Sequence, residues 1–443
     1  MVTRRLLLVA ALVTLGIAIQ QHYRVTLKLQ DPLGGHINDF DRWMLMTPAF
    51  VEDHADYVND RLPTPPITLL ILAPFTALSR PAAQFVWVCL KFPLAALVFA
   101  LAVGIVRRSG ARLTPTATLL VIAGWWLPVI LDMQEGQTNF LALLPLVAGL
   151  YLAQEESSWS DAIAGLLIGL AIAVKVTPAI FAAYFLWKRR WIVAASAVAG
   201  VVLWSVAVPA AAFGWAQTMR WLVQWAGIMI VPYVTRGTVV YAISQSAGSF
   251  ALRLFSAVPV FESSHQGISE DHYMNIAALN PTVVFQLVRL AMIAVAVTGL
   301  AWTRRRLDTL RCPRYLVEIG AVAAFMLWFS ERTWVHHYVS FILTLCAAGA
   351  VLSDPAEPEI RRRATRAALI VFAVATVFAS EAGWLFGPDG VDWAKGVGVF
   401  LWPSVLVTIV ATFRWERQPR TVSTTERLPV FRYWSSPRPD EQA

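Results

Sequence analysis

GGHINDFDRWMLMTPAFVEDHADYVNDRLPTPPITLLILAP, residues 34–74, decides how the rest of the chain reads. It is the first polar segment after a hydrophobic N-terminus. It carries His36, Asp39, Asp41, Glu52, Asp53, His54, Asp56 and Asp60. At Pro65-Pro66 it turns straight into apolar sequence, and hydrophobic spans joined by short loops follow it. An acid-rich loop between apolar runs is where a bilayer-spanning chain meets water, so chemistry is sought there first.

Working outward, the hydrophobic fraction of 57% against 14% charged, over 443 residues, excludes an ordinary water-soluble domain. Repeated apolar runs near the length of a bilayer crossing predict an all-α polytopic membrane protein. Alternation of period two is missing, which argues against an outer-membrane barrel. Cys89, Cys312 and Cys346 have neither disulfide-framework nor metal-ligand spacing. The net charge of +8 falls in clusters between spans, so it reads as orientation and not as a nucleic-acid surface.

Arg4-Arg5 precede an uncleaved first helix over 6–19, which places the N-terminus in the cytoplasm and the opening loop outside. ITLLILAPFTALS is short for a crossing and broken by Pro74, a partial or re-entrant helix. Further spans are expected at 83–106, 114–131, 140–153, 162–174, 178–187 and 191–212. After a long outer region over 213–280, others follow from Pro281 to Arg304 and at 315–329, 338–352, 367–385 and 397–413. Thr114 is expected to cap a helix that has Pro115 at its first position. The count is about 12 crossings, with both ends cytoplasmic and each basic cluster on one side. Residues 1–413 then form one membrane domain, with its first outer loop at 20–82, and 414–443 form a basic, polar tail.

Five segments bring polar residues to the outer face on this topology. They hold Asp39 and Asp41; Asp132 to Asn139 with Gln137; Lys175; Gln245 with Arg253; and His336-His337. A transporter would instead place polar groups at mid-bilayer on broken helices in matched halves. Lys91 and Arg289 are the clear mid-span charges, and such charges usually pair internally or reach for an interface. A metal held by His336-His337 with Asp39 or Asp41 is disfavoured, because adjacent helical histidines diverge by about 100°. One carboxylate facing lysine, arginine and histidine suits sugar transfer from a lipid phosphate to a hydroxyl. The phosphate leaves as an anion held by cations, and the carboxylate takes the acceptor's proton. The rival reading is a lipid-linked sugar transporter or flippase that makes no bond.

The ordered motifs resemble glycosyltransferase family 87. The stretch Asp39-Phe-Asp-Arg-Trp43 is similar to its first-loop motif, and Leu62-Pro-Thr-Pro65-Pro66 to its Tyr-Pro-Pro segment. Gly136-Gln137-Thr-Asn139 and Gly165-Leu-Leu-Ile-Gly169 with Lys175-Val-Thr-Pro178 match its features closely. Ser244-Gln245-Ser246 and Trp334-Val-His336-His337-Tyr338 complete the set. Trp43, Arg42, Ser244 and Glu331-Arg332 depart from the family pattern. The resemblance implies a C-type glycosyltransferase fold with a catalytic first extracytoplasmic loop, in a plasma (inner) membrane. It implies Asp39 as base, with Asp41 competing, and Lys175, Arg253 and His336 or His337 at donor phosphate or acceptor. Gln137, Asn139 and Gln245 join the binding set. The expected partners are the bilayer, a polyprenyl-phosphate sugar (mannose or arabinofuranose) and an extracytoplasmic glycolipid or glycan acceptor. No metal or further cofactor and no nucleic acid is expected.

Overall fold

The computed structural model describes residues 39–52, 55–57, 64–235, 244–265, 268–330, 332–387 and 389–412. The expected first helix over 6–19, His36, Asp53, His54, Asp60, Leu62, Glu331 and the tail over 414–443 lie outside the described residues.

The described chain is helical nearly throughout, and each start is set by local chemistry. Asp39–Glu52 forms α1. Pro65 is extended and Pro66 opens α2, Pro66–Leu72, which Pro74 converts into a 3₁₀ turn over Ala73–Ala77. This is the short, broken helix expected from sequence. Next come α3 (Arg80–Arg108) and α4 (Pro115–Glu135). Thr114 caps α4 through its hydroxyl, which accepts the Ala117 N–H, and Pro115 takes the first position as expected. Helix α5 covers Asn139–Leu152 and α6 covers Ser158–Val174, opened by a Ser157–Ser160 capping box.

Helix α7 is Ala179–Trp187. Its nine residues are about 14 Å long, half of a bilayer core, so it does not cross alone as expected. Helices α8 (Trp191–Val202) and α9 (Val208–Phe213) are joined by a π-helical turn over Leu203–Ala207. The stretch expected as the long outer region contains α10 (Trp215–Met229), α11 (Val231–Thr235) and α12 (Ala247–Phe255). It also contains a hairpin, β1 (Phe261–His265) against β2 (Ile268–His272), antiparallel with Phe261 opposite His272. The all-α class expected from sequence holds, with this one small sheet added among the described residues. Five paired residues are too short a run to show in composition.

Helices α13 (Pro281–Trp302) and α14 (Pro313–Phe329) lead to a 3₁₀ helix, Val335–Phe341, and to α15 (Ile342–Ser353). Then come α16 (Glu359–Phe386), α17 (Gly390–Gly396) and α18 (Leu401–Thr412). Among the described residues five helices are long and apolar enough to cross a membrane, or six if α17 and α18, bent by 43°, count as one span. These make the chain a multi-pass membrane protein. Helices α5 and α6 are apolar but shorter, so the expected 12 crossings do not appear as 12 full-length helices.

Every residue of α15 is buried, which is the pattern of a helix at the centre of a bundle. Around it pack α4, α14, α16 and α18, with Tyr338, Phe341, Phe372 and Phe400 in ring contact. By contrast α13 leaves Leu287, Leu290, Ile293 and Val297 exposed, as a lipid-facing helix does. Helices α6 and α8 pack closely where Gly169 meets Gly200. Small residues let the backbones touch there.

A side chain has no room at that crossing. A Cβ on Gly169 would lie 2.6 Å from the Gly200 Cα and 2.7 Å from the Ala197 carbonyl oxygen. Gly169→Val is expected to cost about 1–3 kcal/mol through forced separation of the helices. Thermal unfolding in detergent, followed by tryptophan fluorescence, should show a lowered midpoint. Val198→Ala, at a position 64% exposed, should leave the midpoint in place.

Candidate active site

The site is assembled on the C-terminal turn of α4. Gly136 ends that helix with φ of +68°, a left-handed cap that glycine adopts without penalty. Its missing Cβ has a second use, since a Cβ there would fall 2.4 Å from that of Phe40. The turn and the first turn of α1 therefore touch. Phe40 stacks on Trp87 with ring centroids 4.6 Å apart and meets Phe75 edge-on, while the Trp87 indole N–H donates to the Gly136 carbonyl at 2.9 Å.

Three successive residues of α1 thus point to three different supports. Asp39 accepts from the Gln137 side-chain amide and pairs with Arg42 at 2.8 Å. Phe40 fills the aromatic pocket. Asp41 receives the Arg80 guanidinium on both oxygens, at 2.9 and 2.7 Å, and is 4% exposed. Two positions apart on a helix of period 3.6, the two aspartates face different sides: Asp41 ties α1 to the first residue of α3, and Asp39 turns toward the polar network. Burial raises the Asp39 carboxyl above its ordinary range, while Arg42, the Gln137 hydrogen bond and Lys175 act against that rise.

Asp132 was expected in an outer loop. It is instead inside α4 and fully buried, because the helix runs on to Glu135. Its Oδ1 takes the Lys91 ammonium at 2.7 Å, and its Oδ2 takes the Asn139 amide N–H at 2.8 Å. Its carbonyl also accepts from Lys91 and from the Gln137 backbone N–H. The Asn139 Oδ1 in turn accepts from Lys175 Nζ. Lys175 stands in extended backbone just past α6. Burial lowers it to about 8, against the opposing pull of Asp132 and Asp39. Of the two settings the sequence left open for Lys91, an internal pair or an interface, the structure shows the internal pair.

The two histidines occupy the 3₁₀ helix ahead of α15, with ring centroids 4.8 Å apart and planes at 78°. The helix type corrects the 100° expected for an α-helix, since three residues per turn spread neighbours by about 120°. His337 Nδ1 accepts the Trp334 N–H at 3.2 Å, which leaves the neutral ring's proton on Nε2. His336 is buried, with its carbonyl on Asn139 Nδ2 at 3.3 Å. A small, partly open cavity lies beside this set. Asn139, Lys175, His337 and Ser340 give it a polar end, and Leu143, Leu146 and Met326 give it apolar walls.

The structure does not place all expected residues in this role. Arg253 is fully buried and donates to the carbonyls of Gly396 at 3.1 Å and Ser244 at 3.0 Å. Gln245 donates to the Lys395 carbonyl at 2.7 Å and accepts the Phe400 N–H at 3.1 Å. Both clamp α12 to the break between α17 and α18. Arg253 Nε and Nη1 and both ends of the Gln245 amide are thus directed at backbone. Asp132 entered the sequence reading only as the first residue of an outer segment, and Lys395 did not enter it. Lys395 acts electrostatically on His336, and in sequence it stands with Asp389 and Asp392 just ahead of the last apolar run. Among the described residues no three His, Cys, Asp or Glu side chains group as metal ligands.

A family model, glycosyltransferase family 87, matches residues 64–330, more than half of the chain. A polyprenol-phosphate-mannose-dependent alpha-(1-2)-phosphatidylinositol pentamannoside mannosyltransferase of Mycobacterium tuberculosis is similar at 28% identity over 309 residues. That match covers 68% of this chain and 62% of the relative. A phosphatidylinositol mannoside mannosyltransferase of the same species, also named as polyprenol-phosphate-mannose-dependent, is 29% identical over 147 residues, 30% of this chain and 33% of the relative. The chain thus spans from a third to about three fifths of the length of these relatives. No solved structure matches it.

The contact between Gly136 and Phe40 can be tested directly. Gly136→Ala combines a left-handed backbone with a 2.4 Å overlap, so it is expected to cost more than about 1–2 kcal/mol and to displace α1. Hydrogen exchange should rise over 39–52, where Asp39 and Asp41 sit, while α14 and α15 keep their protection.

Proposed function

The chain belongs to glycosyltransferase family 87, and from that premise we propose that it transfers a sugar from a polyprenyl phosphate to a hydroxyl of an extracytoplasmic glycolipid or glycan. The observation that carries this reading is one carboxylate, Asp39, in the field of one ammonium, Lys175, which itself lines a cavity with apolar walls. The lipid's sugar-phosphate would meet the polar end and its first apolar carbons the walls. We assign mannose as the sugar, in keeping with the names of the similar mannosyltransferases.

In this reaction the acceptor oxygen attacks the anomeric carbon as its proton passes to Asp39. The bond from that carbon to the phosphate oxygen breaks, and polyprenyl phosphate leaves with one more negative charge. Attack opposite the leaving group inverts the anomeric centre. Lys175 meets the charge that develops on the phosphate, and His337 Nε2 is a donor on the same cavity. Asp39 suits the base better than Asp41, because its side chain is partly exposed and lies in the field of Lys175, whereas Asp41 is nearly buried with both oxygens on Arg80. The site faces the outside of an inner membrane in this proposal, with both termini in the cytoplasm.

The test is transfer from polyprenyl-phosphate mannose to glycolipid acceptors by protein in lipid nanodiscs. Asp39→Asn should fold and lose about 10²–10⁴-fold in kcat. Undiminished transfer would take Asp39 out of the mechanism, and donor moved across vesicles without a new glycosidic bond would favour a flippase.

The base works when deprotonated, and its carboxyl is raised by burial. The acidic limb of the pH–rate profile should therefore lie above the ordinary carboxylate range. Gln137→Ala removes a hydrogen bond that favours the charged form, so it should move that limb further up. A limb that moves down, or stays in place, would contradict the assignment.

A further inference from the structure

Asp132 lies outside the chemistry proposed above, yet it organises the residues assigned to it. Its carboxylate is fully buried and both oxygens are used, Oδ1 by Lys91 and Oδ2 by Asn139. Two acceptors therefore fix the Asn139 amide. Its NH₂ must face Asp132 Oδ2 and the His336 carbonyl, so its oxygen faces Lys175. The reverse orientation would set the amide oxygen against the Asp132 carboxylate and the His336 carbonyl, acceptor to acceptor, and the NH₂ against the ammonium, donor to donor. Resting on the function proposed above, we propose that Asp132 is a positioning residue. Through the Asn139 amide it holds the Lys175 ammonium at the polar end of the cavity, beside Asp39, where a phosphate leaving group is received.

The same carboxylate supplies charge. Asp132 from α4 and Asp39 from α1 favour the protonated form of Lys175, while burial opposes it and brings it to about 8. His336 and His337 of the 3₁₀ helix also lie in the field of Lys175. Without Asp132 the ammonium loses the stronger of its two nearby anions and should release its proton at lower pH. Lys91 has a separate task. It neutralises the buried carboxylate and holds the end of α4 through the Asp132 carbonyl, and Gln137, which binds Asp39, donates its backbone N–H to that carbonyl.

The experiment separates positioning from plain stability with a pair of double variants in nanodiscs. Lys91→Met/Asp132→Leu removes both charges together, which spares the fold an unpaired buried ion. Lys91→Met/Asp132→Asn also removes both but leaves an amide oxygen free to accept from Asn139. The first readout needs no transfer: reductive methylation of Lys175 against pH, followed by mass spectrometry. Both variants should show a labelling midpoint moved to lower pH. The second readout is mannose transfer. The leucine variant should lose at least about tenfold in kcat, and the asparagine variant should regain much of it with its alkaline limb moved down.

An unmoved labelling midpoint, or wild-type transfer by the folded leucine variant, overturns the proposal and leaves Asp132 a structural ion pair. If the wild type transfers no sugar while the midpoint still moves, the functional reading fails and the positioning of Lys175 by Asp132 stands.

Discussion

A carboxylate with no solvent exposure inside a membrane-crossing helix has to be neutralised and fully hydrogen-bonded. Asp132 meets that requirement through Lys91 on α3 and Asn139 on α5, so three helices are held at one point. The polar network grows from there. The turn after Asp132 ends in Gly136, which lets α1 lie against it, and Gln137 then reaches Asp39. Asn139 opens α5 and reaches Lys175 at the end of α6. Helix packing and site geometry are one construction here, because the same buried hydrogen bonds serve both.

Much of this was legible in the sequence, and the physics says which part. Local rules gave the cap at Thr114 and Pro115, the break at Pro74 and the divergence of Asp39 from Asp41, since each depends on a few neighbouring residues. Gly136 and Gly169 were visible as motif positions. Their reason, contact with Phe40 and Gly200, is tertiary and could be seen only in the fold. The pairing of Lys91 with Asp132 joins residues 41 apart on separate helices, and nothing local marks which opposite charge a buried lysine will find. Arg253 and Gln245 read as binding residues because polar groups in a membrane protein attract that reading. In the fold they satisfy backbone carbonyls and N–H groups freed where α17 breaks from α18.

That break has its own logic. Where a span is interrupted, the freed carbonyls and N–H groups need partners in a setting without water. Ser244-Gln245-Ser246 and Arg253 provide them, and Tyr338 and the Thr333 carbonyl tie the same segment to the base of the histidine-bearing turn. The histidines are held from both sides, by Asn139 at one face and by this brace at the other. A second buried set, Glu318 with Lys188, Arg314 and Tyr184, joins α7 to α14 by the same means.

The Lys91–Asp132 pair also bears on how the chain enters its membrane. Helix α3 is synthesised first, with a lysine in its interior that has no partner until α4 emerges. A lone lysine at the centre of a helix opposes insertion by about 2.5–3.5 kcal/mol, and a lone aspartate in α4 carries a similar cost. The least costly route is for α3 and α4 to leave the insertion machinery together as a hairpin with the pair already closed. The turn of α4 on which the site stands would then be among the first tertiary features to form during synthesis, before either histidine has been translated.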